Sequence, residues 1–163
     1  MKAGIISDTH LSRADERFLK QTADCFKDCE VIIHAGDLTD LSILEAFSGK
    51  MVHAVHGNMC NHTSYKKLPL KLSFELGGFS IGLIHGDVLG RREIEDRLWE
   101  VFPGADCVIY GHTHRAVCHR LGNTLIINPG SFQGTGRWGA PGTYAILEIG
   151  EVLKGSLHEV APR

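Results

Sequence analysis

The sequence predicts an α/β protein: a four-layer αββα sandwich, two packed mixed β-sheets flanked by helices, in one domain over residues 1–163. Three observations predict it. The first half alternates short apolar runs with helical patterns, the β-α-β-α-β order of a parallel sheet with crossover helices. The second half holds a hairpin and closely spaced strand candidates with Gly-rich links, which points to antiparallel pairing. Five apolar runs end in polar, metal-ligand side chains, as expected where strands of one sheet system deliver ligands to a shared crevice. Two sheets packed face to face, with helices outside, accommodate both halves.

Residues 1–7 read as a buried strand. Ser12-Arg13-Ala14-Asp15 has the form of a capping box, after which Phe18, Thr22, Cys25 and Cys29 recur at helical spacing. Residues 31–35 form a second apolar run, closed by Gly36-Asp37. Asp40 caps a short helix carrying Leu41, Leu44 and Phe47, and Gly49 stops it. Residues 52–55 are a third strand. Residues 71–76 alternate, turn at Gly77-Gly78 and continue through 79–84 as a hairpin. A helix with Ile94, Leu98 and Val101 on one face ends before Pro103. Residues 106–110, 116–120, 124–127, 143–149 and 152–159 complete the strands. Residues 131–142 are a Gly-rich loop suited to close approach of a ligand or partner.

A chain of 163 residues is long enough for one domain with a sizeable core, and 43% hydrophobic residues supply it. The formal net charge of -2 argues against a general nucleic-acid binder, which would carry a basic face. No apolar run approaches the roughly 20 residues that span a membrane. No basic-then-apolar leader precedes Asp8, so a cytoplasmic location is the expectation. Five cysteines, odd in number and irregular in spacing, argue against a disulfide framework. Cys25 and Cys29 fall i, i+4 on the predicted helix and read as small buried side chains.

The chemistry lies where strands end. Asp8-Thr9-His10, Gly36-Asp37, Gly57-Asn58, His85-Gly86-Asp87 and Gly111-His112-Thr113-His114 each follow an apolar run. Carboxylates and imidazoles together suit manganese, iron, zinc, cobalt or nickel better than magnesium or calcium. Two ions about 4 Å apart need a bridging carboxylate, and Asp37, alone on the central loop, is the candidate. Asp8 and His10, two apart on an extended segment, should project the same way, as should His112 and His114.

Asp-x-His, Gly-Asp, Gly-Asn, His-Gly and Gly-His-Thr-His, in this order, resemble the calcineurin-like metallophosphoesterases. The short length and Asn128-Pro129-Gly130-Ser131 look like the small bacterial and archaeal phosphodiesterase branch. The resemblance covers residues 1 to about 149 and implies a metal-dependent phosphoesterase, chiefly a phosphodiesterase, that uses a metal-bridging hydroxide at a dinuclear site. It implies that Asp8, His10, Asp37 and His114 hold one ion. Asp37, Asn58, His85 and His112 hold the second, with manganese the first choice of metal. Asn58 is also within reach of a phosphate oxygen in such sites. The branch implies a homo-dimer or tetramer. It also resembles a retromer scaffold subunit that lacks the full ligand set, so a non-catalytic interaction scaffold is the alternative.

The chain departs from the family after Asn58. Met59 stands where larger relatives carry a His that assists the leaving group, and a thioether donates no proton. His62 has two readings: an exposed loop histidine, or, with Cys60, the substitute proton source. His34 and His56 adjoin ligand positions and can support them. His53 reads as a packed or surface residue, and His119 and His158 show no partner in the sequence. Asp87 either orients an imidazole or caps a solvated turn. Arg137, beside Trp138, resembles a family Arg near the site, with a surface ion pair as the other reading. Arg91-Arg92 reads as solvated.

Overall fold

The computed structural model describes residues 1–90, 92–134 and 140–161. One sheet is built on β1 (Lys2–Ile6), β2 (Val31–His34) and β3 (Met51–Ala54), parallel and adjacent in that order. The other holds β4 (Lys71–Leu76), β5 (Phe79–Ile84), β6 (Cys107–Ile109), β7 (Val117–Leu121) and β8 (Thr124–Asn128). Its order is β4-β5-β6-β8-β7, with a parallel centre and an antiparallel strand on each side. β9 (Thr143–Ile149) returns to the first sheet antiparallel to β1, and β10 (Leu153–Glu159) pairs outside it. Both sheets are therefore mixed, as the sequence predicts.

The alternation of side chains along the strands makes the layers. Ile5, Ile33, Leu83, Ile109, Ile127 and Leu147 belong to one buried cluster between the sheets. Their neighbours face outward. Ile6 and Ile32 pack with Phe18, Phe26, Phe47 and Phe132 outside the first sheet. Ile84, Val108 and Ile126 pack with Ile94, Leu98 and Phe102 outside the second. Strands buried on both faces read as continuous apolar runs, which is why Val31-Ile32-Ile33 shows no period of two.

The helices refine the sequence expectations. α1 (Glu16–Cys25) is capped by Asp15, whose carboxylate accepts from the Phe18 amide at 2.8 Å, so the cap is three residues later than Ser12. The helix ends at Cys25. Cys29 lies beyond it, near carbonyls that Lys50 Nζ collects from Phe26 and Cys29, so the two cysteines do not share a helical face. Asp40 caps residues Leu41–Phe47 as expected, but the segment winds as a 3-10 helix. α2 (His62–Lys67), unforeseen in the sequence, is capped by Asn61, whose side chain accepts from the Ser64 amide. α3 (Ile94–Val101) stops before Pro103 as predicted. Arg92 is exposed, while Arg91, Arg137 and Trp138 lie outside the described residues. Among the described residues no helix is long and apolar enough to cross a membrane.

Candidate metal centre

Backbone hydrogen bonds draw the strand-end loops together. The Asp8 amide donates to the Gly36 carbonyl, that of His10 to Asp37, and that of Gly111 to His85, each at 3.0 Å. Two glycines permit this closeness. A β-carbon at Gly111 would strike Ser7 Oγ and the Ala35 carbonyl. One at Gly57 would strike Asp37 Oδ1 and the His85 ring. Asp8, Asp37 and His85 are all buried as a result.

Five of the seven candidate ligands meet in two groups, Asp8 with His10 and His114, and Asp8 with Asp37 and His85. His114 Nε2 stands 3.0 Å from Asp8 Oδ1 and 3.4 Å from His10 Nε2. His10 Nε2 is 3.7 Å from the same oxygen and His85 Nε2 is 4.0 Å from it. His85 Nε2 is also 3.2 Å from Asp37 Oδ2. The oxygen common to both groups is thus Asp8 Oδ1, although the sequence pointed to Asp37 at the junction. Asp37 turns Oδ2 to His85, and its Oδ1 accepts from the Met59 amide at 2.7 Å.

The reason these side chains converge is not the one the sequence suggested. Asp8, His10, Asp37, His112 and His114 have φ between +50° and +65°. They are not on extended backbone, so alternation along a strand does not aim them. Non-glycine residues in this left-handed region carry strain that their surroundings must hold, and such residues cluster at functional sites.

Electrostatics shows what the pocket requires. Among the described residues the ionic partners of Asp8 and Asp37 are all histidines. Two buried carboxylates whose ionic partners among the described residues are histidines alone favour a bound cation. Burial works against ionisation of Asp37, but the proximity of His85 and the Met59 N–H hold its carboxyl below the usual range. Burial likewise opposes protonation of His85, and Asp37, the Asp8 charge and the Ala35 carbonyl outweigh it, raising its pKa. His85 Nδ1 donates to the Ala35 carbonyl at 2.8 Å. Among the described residues its Nε2 is buried without an aligned hydrogen-bond partner, facing two carboxylates. A lone pair fixed in this way, among hard oxygens, fits a divalent ion.

The other ligand candidates flank this pocket. The His112 amide donates to Asp8 Oδ2 at 3.2 Å, and its ring meets that of His85 edge-on at 5.2 Å. Asn58 is exposed on the loop that Met59 ties to Asp37. His62 is exposed at the first residue of α2. Cys60 Sγ accepts from the Gly57 amide at 3.3 Å, so its visible role is to close that loop. His56 is buried against the Tyr65 ring. Asp87 opens a 3-10 turn with one carboxylate oxygen buried and, among the described residues, without a hydrogen-bond partner.

Further residues support the candidate ligands, among them His34, which the sequence placed beside a ligand position, and Ser7, which gave little sequence signal. Ser7 Oγ donates to Asp8 Oδ2 and stands 3.1 Å from the Ala35 carbonyl. His34, fully buried, accepts from the Gly36 amide at Nδ1, so Nε2 carries the proton toward Thr9 Oγ1 at 3.3 Å. Burial pushes its pKa down to about 4. Ser131 Oγ donates to the Asp8 carbonyl at 3.0 Å. His53 stacks on Phe74, and His119 pairs with Glu95 at 2.9 Å, partners that only tertiary structure brings near.

Residues 1–151 match the calcineurin-like phosphoesterase superfamily domain. The chain belongs to that superfamily. A probable metallophosphoesterase of Methanothermobacter thermautotrophicus is 39% identical over 133 residues, covering 80% of this phosphoesterase-family chain and 77% of the relative. A phosphodiesterase of Methanocaldococcus jannaschii is 30% identical over 147 residues, covering 80% and 83%. Among solved structures, a zinc complex of Vps29 from Entamoeba histolytica shares the fold at a TM-score of 0.73, with 23% identity over 99% of this chain and 100% of that one. As a metallophosphoesterase-family member, the chain is a phosphoesterase-type hydrolase, and the family uses divalent metals.

Proposed function

We propose that the chain is a phosphodiesterase that holds two divalent transition-metal ions, manganese first among them. Asp8, His10, Asp37 and His114 would hold one ion, and Asp37, Asn58, His85 and His112 the other. The observation that carries this reading is the pair of ligand groups meeting at Asp8 Oδ1 in a pocket with buried carboxylates. The mixed oxygen and imidazole donors suit borderline metals. Asp8 is shared by the two candidate groups, whereas the sequence resemblance assigns the bridging role to Asp37. Their amide variants distinguish the two assignments.

Bound divalent ions supply Lewis acidity toward a phosphate oxygen and lower the pKa of water. The chain's own residues do the rest. Ser7, Ala35 and Met59 orient the carboxylates and His85 through hydrogen bonds. Asn58, exposed at the rim, offers an amide donor to a phosphate oxygen. Met59 donates no proton from its side chain, which leaves His62, at the start of α2, as the candidate acid. The M. jannaschii relative, named a phosphodiesterase, supports a diester substrate. Each sheet ends in strands with an unpaired side, β10 and β3 in one and β4 and β7 in the other, which supports self-association as a dimer or tetramer. The scaffold alternative rests on likeness of fold to Vps29, and the seven candidate ligands favour the hydrolase.

The deciding experiment is hydrolysis of aryl phosphodiesters and monoesters by metal-stripped protein across a panel of divalent ions. Restored diester hydrolysis, greatest with manganese, is expected. No turnover with any ion would favour the scaffold.

A further inference from the structure

His112 sits at the centre of a three-residue turn. The Thr113 amide donates to the Gly111 carbonyl at 2.7 Å, and His112 has φ +65°. An i→i+2 hydrogen bond around a central residue of positive φ is the strained, uncommon form of γ-turn. Histidine has none of glycine's tolerance for that region, so the turn persists only where neighbours hold it.

Asn128 provides that hold. It is the last residue of β8 and is fully buried. Its Nδ2 donates to the Gly111 carbonyl at 2.8 Å and to Thr113 Oγ1 at 3.0 Å, the two ends of the turn. Its Oδ1 accepts from the Gly130 amide at 2.9 Å, which fixes the orientation of the carboxamide and turns its N–H groups toward the turn, with the Tyr110 hydroxyl also in reach. The cost of left-handed backbone at one residue and the worth of two hydrogen bonds, one buried and one part-buried, are of the same order, so the clamp can balance the strain. The same segment continues to Ser131, which binds the Asp8 carbonyl on the opposite sheet. Asn128 reaches no ligand atom itself.

We propose that Asn128 is a positioning residue for His112: its carboxamide clamps the strained turn from both ends and thereby sets the affinity of the ion that His112 holds. This inference rests on the metal-site reading above. Supporting groups behind metal ligands typically change affinity 10- to 100-fold when removed.

The test is calorimetric titration of metal-stripped protein with manganese. Asn128→Ala should weaken one of the two binding events by about 10- to 100-fold, and Thr113→Val, which removes one of the two clamp partners, by less. Thr124→Val is the control. It removes a part-buried hydrogen bond of 2.7 Å at the other end of β8, so manganese affinity should stay at the wild-type value. In a His112→Ala background, Asn128→Ala should weaken binding no further. Wild-type affinity in Asn128→Ala, or equal weakening with and without His112, overturns the proposal. If Asn128→Ala does not fold, unchanged affinity in Thr113→Val overturns it instead. Absence of manganese binding by the wild type would overturn the underlying site reading, a result distinct from binding that ignores Asn128.

Discussion

His10 and His114 aim their Nε2 atoms at one another across 3.4 Å, from loops 104 residues apart and on different sheets. Two imidazole lone pairs at that distance repel unless a proton or a metal lies between them, and Asp8 Oδ1 completes the group. The centre thus spans the seam between the two sheets, and its geometry depends on how firmly the sheets hold their loops.

Charge at the junction should dominate catalysis. Asp37→Asn should fold, bind less metal and lose diester hydrolysis by several orders of magnitude. Asp8→Asn should do the same, and the aspartate whose amide variant loses both ions is the shared one. Asn58→Ala should cost less, since a neutral amide contributes less charge. Near-normal hydrolysis by folded Asp37→Asn would contradict the assignment.

The left-handed backbone of the candidate ligands makes a stability prediction. His10 has φ +50°, where glycine is unstrained and alanine is not. His10→Gly should therefore be more stable than His10→Ala by about 1 kcal/mol in urea denaturation of the metal-free protein. Alanine and glycine variants of equal stability would show that the strain is not real.

Stability of the metal-free protein should fall as pH drops below neutrality. Burial disfavours the charged His34 ring and pushes its folded pKa down to about 4 from the ordinary 6.5. The unfolded chain then binds a proton that the folded one does not, so this contribution is full above about 6.5 and lost as pH falls toward 4. Its size is about 3 kcal/mol at one pKa unit per 1.36 kcal/mol. His53 and His56, both lowered by burial, act in the same direction. His85, with a raised pKa, acts oppositely, its contribution being present at low pH and lost as pH rises. Urea midpoints at pH 7 and 4.5 should separate less for His34→Gln than for wild type. Identical differences would refute the assignment.

Substrate preference follows from the loop after Asn58. General-acid assistance is worth roughly 100- to 10,000-fold, and Met59 cannot provide it. Bis-aryl phosphates, whose phenolate leaves unaided, should be hydrolysed faster than aryl monophosphates under matched metal conditions. If His62 supplies a proton from the start of α2, His62→Ala should depress alkyl-ester turnover more than aryl-ester turnover. Equal effects, or a clear monoester preference, would mean that this loop works otherwise.

Much of this fold was legible in the sequence because strand ends and candidate ligands coincide in it. Apolar runs closed by Gly36-Asp37 or Gly111-His112 mark both a strand and its chemistry, and the sheets form where those runs fall. α2 was not legible, since its first turn, His62-Thr63-Ser64, carries no apolar period and only Asn61 signals its start. Backbone conformation at the ligands was hidden as well. No pattern distinguishes an extended Asp8-Thr9-His10 from a left-handed one, because tertiary hydrogen bonds to Gly36 and Asp37 decide it. Ser131 and Asn128 reach the candidate centre across sequence separations that a local reading does not cross.

The central claim is that this chain assembles a two-ion centre. Elemental analysis of protein stripped of metal, reconstituted with manganese and freed of excess ion tests it most directly. Two manganese ions per chain is the expected result. A ratio that saturates at one or below would contradict the two-ion centre.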